Sequence, residues 1–193
     1  MSEAFNNMLV KYCSPVLTGI KTANMFTFFG APLSVNNIIK SYNKVFNSFD
    51  IYFCVLNSKE KSSLIYVYRF SRLKKDLRKR YVSLFMKKEG YDVYDIKGCI
   101  KTLSEKIRSE KDFPHEIGLF LSYPIYDVIG FIENNGSNFK YCGFWKVYRN
   151  EENAKRIFGE YEKCTALCRK KFSKEKNLFN IIGEISDENV AGC

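Results

Sequence analysis

The segment Phe113 to Tyr148, FPHEIGLFLSYPIYDVIGFIENNGSNFKYCGFWKVY, constrains the fold most, because it sets three punctuated apolar runs beside the chain's only histidine and only tryptophan. Pro114 ends whatever precedes it, and His115 to Leu121 is an apolar run of strand length closed by the turn Ser122-Tyr123-Pro124. Ile125, Val128, Ile129 and Ile132 then recur at helical spacing, and Glu133-Asn134-Asn135-Gly136 supplies a helix stop. Tyr141 to Tyr148 resumes as an aromatic-rich strand. Strand, short helix and strand make a βαβ unit with parallel strands and a right-handed crossover.

The flanking sequence supplies mostly helices. Ser34 or Asn36 opens one on Val35, Ile38, Ile39, Tyr42, Val45 and Phe46, ending near Phe49. Asp50 to Leu56 and Ser63 to Phe70 are β-rich runs that read as a hairpin. Ser71 caps a basic helix with Leu73, Leu77, Tyr81, Leu84 and Phe85 inward and Gly90 as its stop; another helix runs from about Asp92 to Ser109. Asn150-Glu151-Glu152 starts a last helix to Phe172 that buries Ala154, Ile157, Phe158, Tyr161, Cys164 and either Leu167 or Cys168. Near the N-terminus Met8-Leu9-Val10 is a short helix or the start of a strand, and Ser14-Pro15 reads as a cap and first helical residue. The predicted class is α/β, bordering on α+β: a single mixed four-stranded sheet with the hairpin and the βαβ unit, covered by about six helices. Residues 1–173 form one domain, and 174–193 a flexible tail with an apolar contact through Phe179 and Ile182.

Aromatic residues make up 16% of the chain, so this core is bulky. No uncharged apolar run approaches the roughly 18 residues of a membrane span, and no basic-then-apolar leader signals secretion. Seven cysteines at irregular spacing fit reduced thiols in a cytoplasm better than a disulfide framework. The net charge of +10 is concentrated at Arg69, Arg72, Lys74, Lys75, Arg78, Lys79 and Arg80, and again at Arg169, Lys170, Lys171, Lys174 and Lys176. Such clusters suit phosphates, yet no zinc finger, helix-turn-helix or RNP-type motif accompanies them, and the plainer reading is solvated helix faces. Neither GxxxxGK[ST] nor GxGxxG occurs, which removes the ordinary routes to nucleotide binding.

A set of dispersed residues carries a family resemblance. Cys13-Ser14-Pro15, Leu17, Gly19-Ile20-Lys21 and Ala23-Asn24 are followed by Phe113 to Gly118, Tyr123-Pro124, Asp127-Val128 and Gly130-Phe131-Ile132. Then come Cys142-Gly143, Trp145 to Tyr148, and, in the final helix, Ala154, Phe158, Tyr161 and Cys164-Thr165. Together they resemble DUF3793, a family of uncharacterised bacterial proteins common in anaerobic Firmicutes such as clostridia, over most of residues 10–172. Ser122 and Val16 depart from it, standing where glycine and threonine are expected. The resemblance implies no activity, substrate or cofactor.

Three constellations offer chemistry. In the first, Cys13 sits before a helix start, where the dipole favours a thiolate, and His115 is the base that removes and returns its proton, with Glu116, Asn24 or Asp127 orienting the ring. The plainer readings are a small buried cysteine and a backbone-bonded histidine. In the second, Cys142, Cys164, Cys168 and His115 form a soft tetrahedral metal set, or His115 holds haem iron; Cys164 and Cys168 share a helix face whose plainer reading is core. In the third, Lys21, Arg69 and Lys146 form an anion pocket, with Asn24, Tyr123, Trp145 and Tyr148 contacting a ligand; the Trp145 and Tyr148 rings suit stacking, although alternation along a strand turns only one of each neighbouring pair inward. The leading expectation is a cytoplasmic small-ligand-binding or thiol-dependent protein with a site around Cys13 and His115. A metal or haem-iron handling protein and a basic nucleic-acid-binding accessory protein remain the alternatives.

Overall fold

An apolar stripe of Phe5, Leu9, Val10, Cys13, Val16 and Leu17 makes Glu3–Leu17 one helix, α1, in the computed structural model, which describes residues 2–109 and 113–182. Ser2 caps α1 by accepting from the Phe5 N–H at 3.4 Å. The helix start expected at Ser14-Pro15 is therefore corrected: Pro15 lies in the last turn, and Cys13 in the helix body. One lost backbone hydrogen bond is outweighed by the buried stripe.

The described residues divide into two units, one holding the chain up to Arg69 and from Glu160 onward, the other Phe70 to Gly159. In the first unit α1 leads to β1 (Ala23–Phe29), α2 (Pro32–Phe46) with proline in its first turn, a 3-10 turn at Asn47–Phe49, β2 (Ile51–Lys59) and β3 (Ser62–Arg69). The hairpin is as expected, but β1 was not: its Phe26 faces the core opposite Ile65 in an antiparallel sheet of order β1-β3-β2. A bulge between Val55 and Asn57 interrupts the β2–β3 register. Ile65, Val67, Ile51 and Phe53 on one sheet face pack with α1, with Val35, Ile39, Tyr42 and Phe46 of α2, and with Cys164, Cys168 and Phe172 of α8 (Glu151–Glu175). Residues 178–182 are helical and place Leu178, Ile181 and Ile182 in the same core, while Phe179 stacks on Phe46 at 5.4 Å. The rest of the expected tail, 183–193, lies outside the described residues.

The second unit holds α3 (Phe70–Leu77), α4 (Arg80–Lys88), α5 (Ile96–Ser109), α6 (Ile117–Phe120), α7 (Ile125–Glu133), β4 (Tyr141–Cys142), β5 (Lys146–Val147) and the start of α8. The single basic helix expected here is two helices. Buried Leu73 and Leu77 are followed by Val82 and Met86, a step of five from Leu77 to Val82 that an unbroken helix would rotate off the core. The expected strand 115–121 is corrected to the turn and helix of α6, since Ile117, Gly118 and Leu119 donate locally to the carbonyls of Pro114, His115 and Glu116. The strand expected over 141–148 is a two-rung antiparallel hairpin. No βαβ unit and no single four-stranded sheet is formed among the described residues, and both sheets are antiparallel; the mixed α/β class stands. No described helix is long and apolar enough to cross a membrane.

Candidate functional site

The second unit contains a cavity of about 410 Å³ built by α6, α7 and the β4–β5 hairpin. Asp127, buried in the first turn of α7, organises it. One carboxylate oxygen accepts from Trp145 Nε1 at 2.8 Å, and the other from the backbone N–H groups of Tyr148 at 2.8 Å and Arg149 at 3.1 Å. That clasp fixes the Trp145 ring, which stacks on Tyr123 at 4.9 Å and meets Phe158 edge-on at 4.4 Å. The Tyr123 hydroxyl donates to the Phe144 carbonyl at 3.2 Å. Pro114, Ile117, Val128 and Phe131 complete apolar walls. Gly118 lets α6 approach α7, since a Cβ there would lie 2.7 Å from Val128 Cγ2. Ser122 takes φ 64°, the left-handed region that favours glycine, and its hydroxyl donates to Asp76 at 2.8 Å.

Three further side chains face this cavity. His115 is exposed and packs edge-on to Phe131 at 5.0 Å, with neither ring nitrogen hydrogen-bonded among the described residues. Lys146 Nζ donates to the Gly136 carbonyl at 2.7 Å and lies 5.5 Å from the Phe131 ring and 5.1 Å from that of Phe139, with no carboxylate partner among the described residues. Cys142, also exposed, is the cross-strand partner of Lys146. Of the expected site residues, the structure thus brings His115, Tyr123, Cys142, Trp145 and Lys146 together. Tyr148 is not in the lining; its ring covers Gly130 and its enclosed hydroxyl has no protein partner among the described residues. Glu116 is buried and accepts from Tyr91 at 2.9 Å and Lys106 at 2.6 Å instead of orienting His115. Burial raises its pKa, but the hydrogen bonds, that from Lys106 foremost, outweigh this and hold the carboxyl below its ordinary range.

Cys13, Lys21 and Asn24 meet in the first unit. Cys13 is fully buried, and burial pushes its thiol well up despite the nearby Lys21 ammonium, the reverse of an activated nucleophile. Lys21 is 3% exposed, donates to Asn24 Oδ1 at 3.4 Å and lies 5.6 Å from the Tyr161 ring; burial pushes its ammonium down to about 8. Arg69 caps α1 by donating to the carbonyls of Val16 at 2.8 Å and Leu17 at 2.7 Å, and donates to that of Phe49 in the 3-10 turn at 3.2 Å. Cys164 and Cys168 belong to the core, where Cys164 meets Thr18 Oγ1 at 3.2 Å. Hydrogen bonds from Cys168 and Thr18 lower the Cys164 pKa, while that of Cys168 is raised. No group of three or more His, Cys, Asp or Glu among the described residues is placed to hold a metal, so the expected tetrahedral set is not assembled. Parts of the basic clusters are tied locally: Arg78 donates to the Val93 and Tyr94 carbonyls, Lys79 pairs with Asp76 and Lys176 with Glu3.

Sequence reasoning missed Phe131 and the pairing of Cys142 with Lys146 across Gly143; the signal was the glycine between two short apolar-polar runs, where the chain reverses. No curated protein and no solved structure shows significant similarity to the chain. Residues 9–182, which include the whole cavity, match the family described as Protein of unknown function (DUF3793), and the chain belongs to that family.

Proposed function

We propose that the second unit binds a small, largely apolar molecule in the cavity between α6, α7 and the β4–β5 hairpin. The observation carrying this is the cavity itself: about 410 Å³ of mostly aromatic and aliphatic wall with a few convergent polar groups, within the roughly 300–1,000 Å³ of ordinary ligand sites. Trp145, the only tryptophan of the chain, lies in the wall, so its emission reports occupancy. The 193-residue chain should show saturable quenching with small phenyl compounds such as phenylacetate or phenylacetamide. Absence of saturation with the whole set, up to the solubility of each compound, sinks the proposal.

A second reading, thiol-dependent chemistry, draws its support from Cys142. That thiol is exposed and shares the cavity with His115, whereas Cys13 is sealed in the core. Alkylation of the native protein followed by mass spectrometry should label Cys142 well before Cys13. Faster labelling of Cys13 would return the thiol site to α1.

A further inference from the structure

We infer that the ligand of this cavity is a small aromatic monocarboxylate, its ring against Trp145 and Phe131 and its carboxylate at Lys146 and His115. The inference rests on the cavity being a ligand site and adds the chemical class. Both oxygens of Asp127, the one carboxylate in the lining, already accept three N–H groups, so its charge is spread over donors and it has little left to offer a cation. Lys146 donates one N–H to the Gly136 carbonyl and has two N–H groups left to donate. It is half-buried and flanked by Phe131 and Phe139, where water screens its charge poorly. His115 has both nitrogens uncommitted at the cavity wall. What remains unsatisfied is thus mainly donating and cationic, and its complement is an anion; an ammonium ligand meets Lys146 as a like charge. A single lysine among apolar walls suits one negative charge on an apolar body better than a phosphate dianion, which needs more donors and a wetter site. The ring requirement follows from the walls, since Trp145, held edge-on to Phe158 and stacked on Tyr123, presents a fixed aromatic surface with Phe131.

The test is a Trp145 fluorescence titration of the 193-residue chain with three ligands of similar shape: phenylacetate, phenylacetamide and phenethylamine. Phenylacetate should bind about tenfold or more tightly than the amide, the factor expected of a charge-assisted hydrogen bond, and the amine most weakly. Lys146→Met should abolish the advantage of the acid over the amide. Lys146→Arg should keep the advantage, and a far-UV circular dichroism spectrum matching that of the unchanged protein establishes that each variant is folded. Equal affinity for acid and amide, or an acid preference that survives Lys146→Met, overturns the inference but leaves the cavity as a binding site. Failure of all three ligands to bind overturns both.

Discussion

Asp127 shows how much one side chain can be asked to do. Its carboxylate satisfies an indole N–H and two backbone N–H groups, so truncation orphans three donors at once. Asp127→Ala should lower stability by about 3 kcal/mol in urea unfolding, with a shift in Trp145 emission, and Asp127→Asn by less, about 1–2 kcal/mol, because the amide keeps one accepting oxygen. The sequence marked Asp127 as a possible orienter of His115; helical period fixes the face a residue occupies but not its partner, and the real partners lie beyond the end of α7. Lys21 carries a different signature. Below pH 8 its buried ammonium is charged in both folded and unfolded chains; between about 8 and the ordinary 10.5 only the unfolded chain holds the proton, so its contribution to stability rises with pH. Lys21→Met should accordingly gain most over the unchanged protein at neutral pH, and that margin should shrink as the pH is raised through this window, measured by paired denaturation curves.

At the scale of elements, short apolar runs were where the sequence misled. Ile117, Gly118, Leu119 and Phe120 are all buried, so the run has no alternation to separate strand from helix, and local hydrogen bonds decided for helix. Longer periodic segments were plain: α2, α5 and α8 appear where their stripes put them, with Cys168 and not Leu167 turned inward on α8. The seat of α6 depends on small size at one position, and Gly118→Ala should cost about 1–3 kcal/mol because the added methyl meets Val128 and Tyr123. The residue just before α6, Glu116, is bonded to Lys106 of α5 and to Tyr91. Its depressed pKa contributes stability that is present above its ordinary value of 4.5 and is lost as the pH falls through the folded value. An acid titration of stability should thus fall below about pH 4.5, and Glu116→Gln should remove part of that slope.

For the molecule as a whole, the mixture of helices and small sheets was legible in the sequence, but the parallel pairing was not formed, because residues 115–121 and 141–148 both lack an uninterrupted strand. Contiguity of Phe70 to Gly159 predicts that this stretch, expressed alone, keeps its helical circular dichroism and a blue-shifted Trp145 emission; a spectrum of an unfolded chain would refute that. The other unit is split in sequence, and its core joins Phe5 and Leu9 to Cys164, Phe172 and Ile181. A ribosome issues the chain from its N-terminus, so β1, β2, β3 and α1 leave the exit tunnel long before the side chains that complete their core have been made. The unit begun first is finished last: during translation of the residues between, α1 and α2 already lie against the sheet, but the part of the core that Cys164 to Ile182 complete stands uncovered, the interval in which a nascent-chain chaperone has most to hold.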